Sequence, residues 1–163
     1  MLRDFYLALA PVSFTLLGLW VVVVQTRHSE WRASADHRRR GYAVWLQFAL
    51  PGLMSLLSLV DPNSQALWRL SFGVVALAGV LILTVLQVAS KRTVYGTVGY
   101  AAAAALYALV ALIAIAPGVV NSFDSSINAV RAEAILLALL IFVGVNIAWF
   151  LLFEDVPADH EDR

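Results

Sequence analysis

The sequence predicts an all-α, polytopic integral membrane protein built as a bundle of five transmembrane helices. Apolar residues make up 61% of the chain and charged residues 13%, whereas soluble domains average about 45–50% and 25%. The mean hydropathy of +0.82 points in the same direction. Apolar runs of about 20 residues, the length that crosses a bilayer core, recur five times along the chain.

Each run is expected to be a helix, because a backbone in lipid must satisfy its own hydrogen bonds. Asp61 before Pro62 is typical of a helix start, and Asp124 or a following serine is a candidate cap for the last helix. That helix enters the membrane near Ala134. The predicted helices cover residues 5–25, 42–60, 62–89, 94–116 and 125–153, in a single domain, 1–163, that ends in an acidic cytoplasmic tail, 154–163.

Basic residues predict the orientation of these helices. Eight of the eleven lie in the first connection, the third connection and the tail, and three lie on the opposite side. Under the positive-inside rule the side with eight basic residues is cytoplasmic. The N-terminus is then outside and the C-terminus is cytoplasmic. Arginine far outnumbers lysine, which suggests a GC-rich bacterial genome. The predicted location is therefore the bacterial inner membrane, crossed several times.

Several classes of function are disfavoured by what the sequence lacks. The chain has no cysteine and no net charge, which excludes thiolate metal sites and gives no sign of nucleic-acid binding. No phosphate-binding, dinucleotide-binding or hydrolase motif occurs. No ionisable residue lies near the middle of a span, as proton-coupled transporters usually require. We therefore expect no enzyme, no cofactor and no metal.

The second helix carries the clearest candidate site. At about 100° per residue, Gln47, Ser55, Ser58 and Asp61 share one arc with Pro51. A polar stripe that ends in a carboxylate at the outer side is typical of a helix lining a water-filled path, and the carboxylate would attract cations. Alternatively, Gln47 and the serines hydrogen-bond to neighbouring helices, and Asp61 caps the third helix or pairs with Arg69 two turns further on.

Two further sets of residues are candidates for binding. Asn146 is the one strong hydrogen-bonding side chain deep in the fifth helix, and we expect it to bond a neighbouring helix or to join a substrate path. Five arginines of the first connection suit anionic lipid headgroups, although topology alone would also explain them. They are Arg27, Arg32, Arg38, Arg39 and Arg40.

Together these features predict a homo-oligomeric channel or passive facilitator for a small ion or solute, lined by the second helix. Five thin helices enclose little volume, so several copies make a path easier to build, and no residue for energy coupling is visible. The alternative is a non-transporting membrane subunit or scaffold that binds a partner protein or anionic lipid. In either case the expected partners include membrane lipids with anionic headgroups at the cytoplasmic face.

Overall fold

The computed structural model describes residues 2–28, 35–61, 64–89, 94–123 and 128–153. Every regular element in these ranges is a helix, and five of the helices are long and apolar enough to cross a membrane. This confirms the all-helical fold with five candidate spans. The helices are α1 Leu2–Thr26, α2 Ala35–Val60, α3 Gln65–Ala89, α4 Val94–Ile115, the short α5 Gly118–Phe123 and α6 Ala129–Leu152.

The apolar run predicted that the second helix begins at residue 42. In the structure this helix, α2, begins at Ala35. The additional turns are charged, and a salt bridge supports them. Arg40 Nη2 lies 2.7 Å from Asp36 Oδ2, one turn away on the same helix. Such i,i+4 pairs stabilise helices outside the apolar region, so hydropathy alone placed this helix start too late.

The start of α6 also differs from the prediction. Asn128 is its N-cap, and the Asn128 side chain accepts a hydrogen bond of 2.9 Å from the Arg131 backbone N–H. The predicted helix start at residue 125 and the predicted cap at Asp124 or a following serine lie outside the described residues. The acidic tail, residues 154–163, lies outside them as well.

Helix α2 occupies the centre of the bundle, where it packs against α1, α3 and α6. Helix α4 closes the other side by packing on α3 and α6, and α1 also touches α6. The core between these helices contains fully buried apolar and aromatic side chains. Among them are Val44, Met54, Phe72, Tyr107 and Leu140.

Two glycines allow α2 to approach its neighbours closely. A Cβ atom added at Gly144 of α6 would lie 2.8 Å from the Gln47 Cβ, and one added at Gly52 of α2 would lie 3.0 Å from the Ser13 Cβ. Real Cβ atoms essentially never lie as close as 2.8 Å to a neighbour, and 3.0 Å is tighter than nine in ten real Cβ contacts. The spacing of the helices therefore depends on these glycines, most of all on Gly144. The same contacts enclose the side chains of Gln47 and Ser13.

Two arginines bind the C-terminal ends of helices, where backbone carbonyls lack helical partners. Arg69 of α3 donates to the Ala114 carbonyl at 2.9 Å and to the Ile115 carbonyl at 2.6 Å. Arg39 of α2 donates to the Ala89 carbonyl at the end of α3. These arginines therefore connect neighbouring helices at opposite ends of the bundle.

Candidate functional site

Gln47 lies on the enclosed side of α2, beside Gly144 and Phe48. It is 1% exposed, and neither its amide nitrogen nor its amide oxygen has a hydrogen-bond partner among the described residues. Pro51, one turn later, has no N–H to donate to the Gln47 backbone carbonyl, as an ordinary helical residue would. A polar side chain and a weakened backbone bond therefore occur together at this level of α2.

The two serines of the predicted stripe are satisfied within α2. Ser55 is fully buried, and its hydroxyl donates to the Pro51 carbonyl at 2.8 Å. Ser58 is half-buried and donates to the Met54 carbonyl at 3.0 Å. A serine hydroxyl bonded in this way keeps lone pairs that accept further hydrogen bonds.

Helix α1 adds a further polar group that the sequence analysis did not single out. Ser13 is fully buried opposite Gly52 of α2, and its hydroxyl has no partner among the described residues. Gln47, Ser55 and Ser13 are thus enclosed within one chain. The exposed residues of α2 include the apolar side chains Trp45, Leu53 and Leu56.

Asn146 does not behave as the sequence predicted. Its side chain is exposed, and Nδ2 donates to the Phe142 carbonyl of the same helix at 2.7 Å. The prediction of a bond to a neighbouring helix is therefore wrong within this chain, because this face of α6 points away from the bundle.

Asp61 is exposed just beyond the end of α2. The predicted start of the third helix at residue 62, with Asp61 as its cap, is wrong. Helix α3 begins at Gln65, and the hydroxyl of Ser64 accepts a hydrogen bond of 3.2 Å from the Leu67 backbone N–H.

Glu133 is a second buried polar residue that the sequence analysis missed. It lies in the second turn of α6 and is 0% exposed, and neither carboxyl oxygen has a hydrogen-bond partner in the described part of the chain. The sequence placed it just outside the span, because it precedes the uninterrupted apolar run that starts at Ala134. An acidic residue directly before such a run was the available signal.

Aromatic residues of α1 and α3 lie around the Glu133 carboxyl. The Trp68 indole N–H approaches it without completing a hydrogen bond of ordinary geometry, and the Tyr6 side chain is within electrostatic range. Both rings lie 6.2 Å from the Phe72 ring, centroid to centroid. The Glu133 carboxyl therefore lies among aromatic side chains of two neighbouring helices.

The five arginines predicted to contact lipid are used in different ways. Arg40 is buried in its salt bridge with Asp36, and Arg39 binds the end of α3. Arg38 is exposed and lines a groove, and Arg27 is half-buried just after α1. Arg32 lies outside the described residues. Lipid contact therefore remains a prediction, and Arg38 is the best placed for it.

The function has to be argued from these side chains, because comparisons with known proteins offer no precedent. No family model, no curated protein and no solved structure matches the chain. The described residues include several buried polar side chains, and the candidate site consists of four of them, Ser13, Gln47, Ser55 and Glu133.

Proposed function

We propose that the protein is a passive facilitator for a small cation, with a path through the helix bundle that α2 lines. The observation that carries this proposal is the buried amide of Gln47, for which the described part of the chain offers no hydrogen-bond partner. Leaving a buried polar group unsatisfied costs about 1–3 kcal/mol, and leucine would fill the same space without that cost. A passing cation with its water would supply the missing hydrogen bonds.

The path is placed within each chain and not at the axis of an oligomer. Helices α1, α3 and α6 surround α2, and Gln47 and Ser55 face these helices of their own chain. A pore on a symmetry axis would instead meet the exposed apolar side of α2. Copies of the chain assemble, in this proposal, through such apolar faces, and a homo-oligomer then carries several separate paths.

The preference for cations rests on Glu133 and Asp61. Both lie at the end of the bundle where α2 finishes and α6 begins, which is the outer side under the predicted orientation. Asp61 is exposed there, and a carboxylate at a mouth concentrates cations and repels anions. Glu133 is buried and would meet a cation inside the path. Transport is passive because α2 carries no titratable group at the level of Gln47, and the location we propose is the bacterial inner membrane.

Ser13 and Ser55 are fully buried, so the path is closed in this conformation. The proposal requires α1 and α6 to move away from α2 where Gly52 and Gly144 bring them closest. Opening at these two contacts would expose Ser13 and Gln47 together.

Purified protein in lipid vesicles tests the proposal. Vesicles loaded with potassium chloride should release K⁺ faster than protein-free vesicles, with chloride retained. Glu133→Gln keeps the size of the side chain and removes its ability to ionise beside a cation. A charge-assisted contact is worth about 1.5–3 kcal/mol, so this variant should slow K⁺ release by roughly tenfold or more.

Asp4→Asn is the matched control, because Asp4 is an exposed carboxylate on the same side of the bundle. It should release K⁺ at close to the wild-type rate. Wild-type vesicles no leakier than protein-free ones would contradict the proposal. Equal K⁺ release by Glu133→Gln and the wild type would remove Glu133 from the path.

The exposed Asn146 favours a second candidate function, a non-transporting membrane subunit. An amide on the lipid-facing side of a span is unfavourable in lipid and commonly marks contact with another helix. In this function α6 packs on a partner protein. Native mass spectrometry of the purified protein separates the candidates, since a partner at fixed ratio supports the subunit and a homo-oligomer without one supports the facilitator.

A further inference from the structure

A groove opens between α1 and α2 at the arginine-rich end of the bundle. Its volume is about 370 Å³, within the range of about 300–1,000 Å³ that is typical of ligand pockets. The last turns of α1 form one wall, and the charged start of α2 with the turns that follow forms the other. Its lining includes Trp20, Val24, His28, Arg38, Tyr42 and Trp45.

The chemistry of the groove changes along its length. His28 and Arg38 lie at the end where α1 finishes and α2 begins, and Trp20 and Trp45 lie towards the middle of the bundle. At 1.5 Å per residue, Arg38 and Trp45 are separated by about 10 Å along the axis of α2. A basic end followed by apolar walls matches an amphiphile with an anionic head.

The aromatic walls are held in place by contacts within the protein. The Trp20 indole N–H donates to the Gly41 carbonyl at 2.9 Å. The Tyr42 and Trp45 rings stack with centroids 5.7 Å apart and an angle of 11° between their planes. The groove is therefore a formed feature of α1 and α2, and its occupant does not have to order these rings.

Arg38 provides the basic side chain of α2 in this groove. It is exposed and lines the groove. A planar guanidinium suits a phosphate group because it offers parallel N–H donors.

We propose that this groove binds an anionic glycerophospholipid from the surrounding leaflet. One acyl chain lies between Trp20 and Trp45, and the phosphate lies beside Arg38 and His28. The apolar walls select a lipid over a soluble phosphate ester. This site is separate from the proposed ion path, because it involves none of the four buried polar side chains.

The test uses the full chain in detergent and native mass spectrometry with two lipids of identical acyl chains, dioleoylphosphatidylglycerol and dioleoylphosphatidylcholine. The wild type should bind the anionic lipid more tightly. Arg38→Gln should weaken binding of that lipid about fivefold, as expected for one basic residue, and leave the phosphatidylcholine affinity unchanged. Trp45→Ala should weaken binding of both lipids by a similar factor.

Two controls match these variants. Arg3→Gln removes an exposed arginine at the other end of α1, and Trp149→Ala removes an exposed tryptophan of α6; both should bind the lipids as the wild type does. Equal binding of the two lipids by the wild type would overturn the proposal. Equal losses of affinity for the anionic lipid in Arg38→Gln and Arg3→Gln would overturn it as well. Equal losses of lipid affinity in Trp45→Ala and Trp149→Ala would contradict the proposed position of the acyl chain. Competition by glycerol phosphate would show that the groove binds a soluble phosphate ester and not a lipid.

Discussion

Gln47→Leu should abolish cation flux and at the same time make the protein more stable. Leucine has a similar volume, so it fits between α2 and α6 without opening a cavity. It also removes a buried amide that has no hydrogen-bond partner among the described residues. This removal should raise the free energy of unfolding by about 1–3 kcal/mol. K⁺ release from vesicles and denaturant unfolding in detergent measure the two effects.

Asn146→Leu is the matched control for this substitution. It replaces another amide in a membrane span, but one that is exposed and bonded to its own helix. It should leave K⁺ release unchanged. If Gln47→Leu instead lowered stability and left flux unchanged, Gln47 would be a structural residue that bonds neighbouring helices, and the path would lose its main support.

Gly144→Ala should destabilise the bundle. The added Cβ would lie 2.8 Å from the Gln47 Cβ and 3.1 Å from the Phe48 ring. A Cβ cannot rotate away from a contact, so α2 and α6 must separate, and overpacking of this kind costs about 1–3 kcal/mol. The free energy of unfolding in a fixed detergent measures the loss.

Gly18→Ala provides the comparison, since an added Cβ there meets nothing within 4 Å. This variant should be unchanged or more stable by up to about 1 kcal/mol, because alanine favours helix. Equal stability of the Gly144→Ala and Gly18→Ala proteins would show that α6 does not depend on close contact with α2 at Gly144.

Hydropathy was sufficient to predict the five spans, because the length and polarity of a bilayer core constrain them directly. It was not sufficient for the helix ends. Helix α2 extends to Ala35 through a salt bridge, and α6 starts at an asparagine cap. Both depend on local side-chain bonds outside the apolar runs.

Helical periodicity predicts which residues share a face, but not what that face contacts. Gln47 and Ser55 share the enclosed face of α2 because three other helices pack around it. Asn146 points outward because the packing of α6 turns it away from the bundle. Glu133 was missed because a carboxylate next to a span is usually at the membrane surface, whereas here Tyr6 and Trp68 of neighbouring helices lie beside it.

Cysteine labelling tests whether the buried polar side of α2 lines a path that water can enter. The chain has no natural cysteine, so Ser55→Cys introduces a single thiol with little change in size. Thr84→Cys, at an exposed position of α3 away from the path, is the control, and Asp61→Cys marks full exposure to water.

In vesicles, a small charged thiol reagent that does not cross the bilayer should modify Ser55→Cys, and modification should block K⁺ release. Thr84→Cys should stay unmodified and Asp61→Cys should react rapidly. Modification of Asp61→Cys without any modification of Ser55→Cys would contradict the path, because it would show that reagent reaches the end of α2 but never enters the bundle.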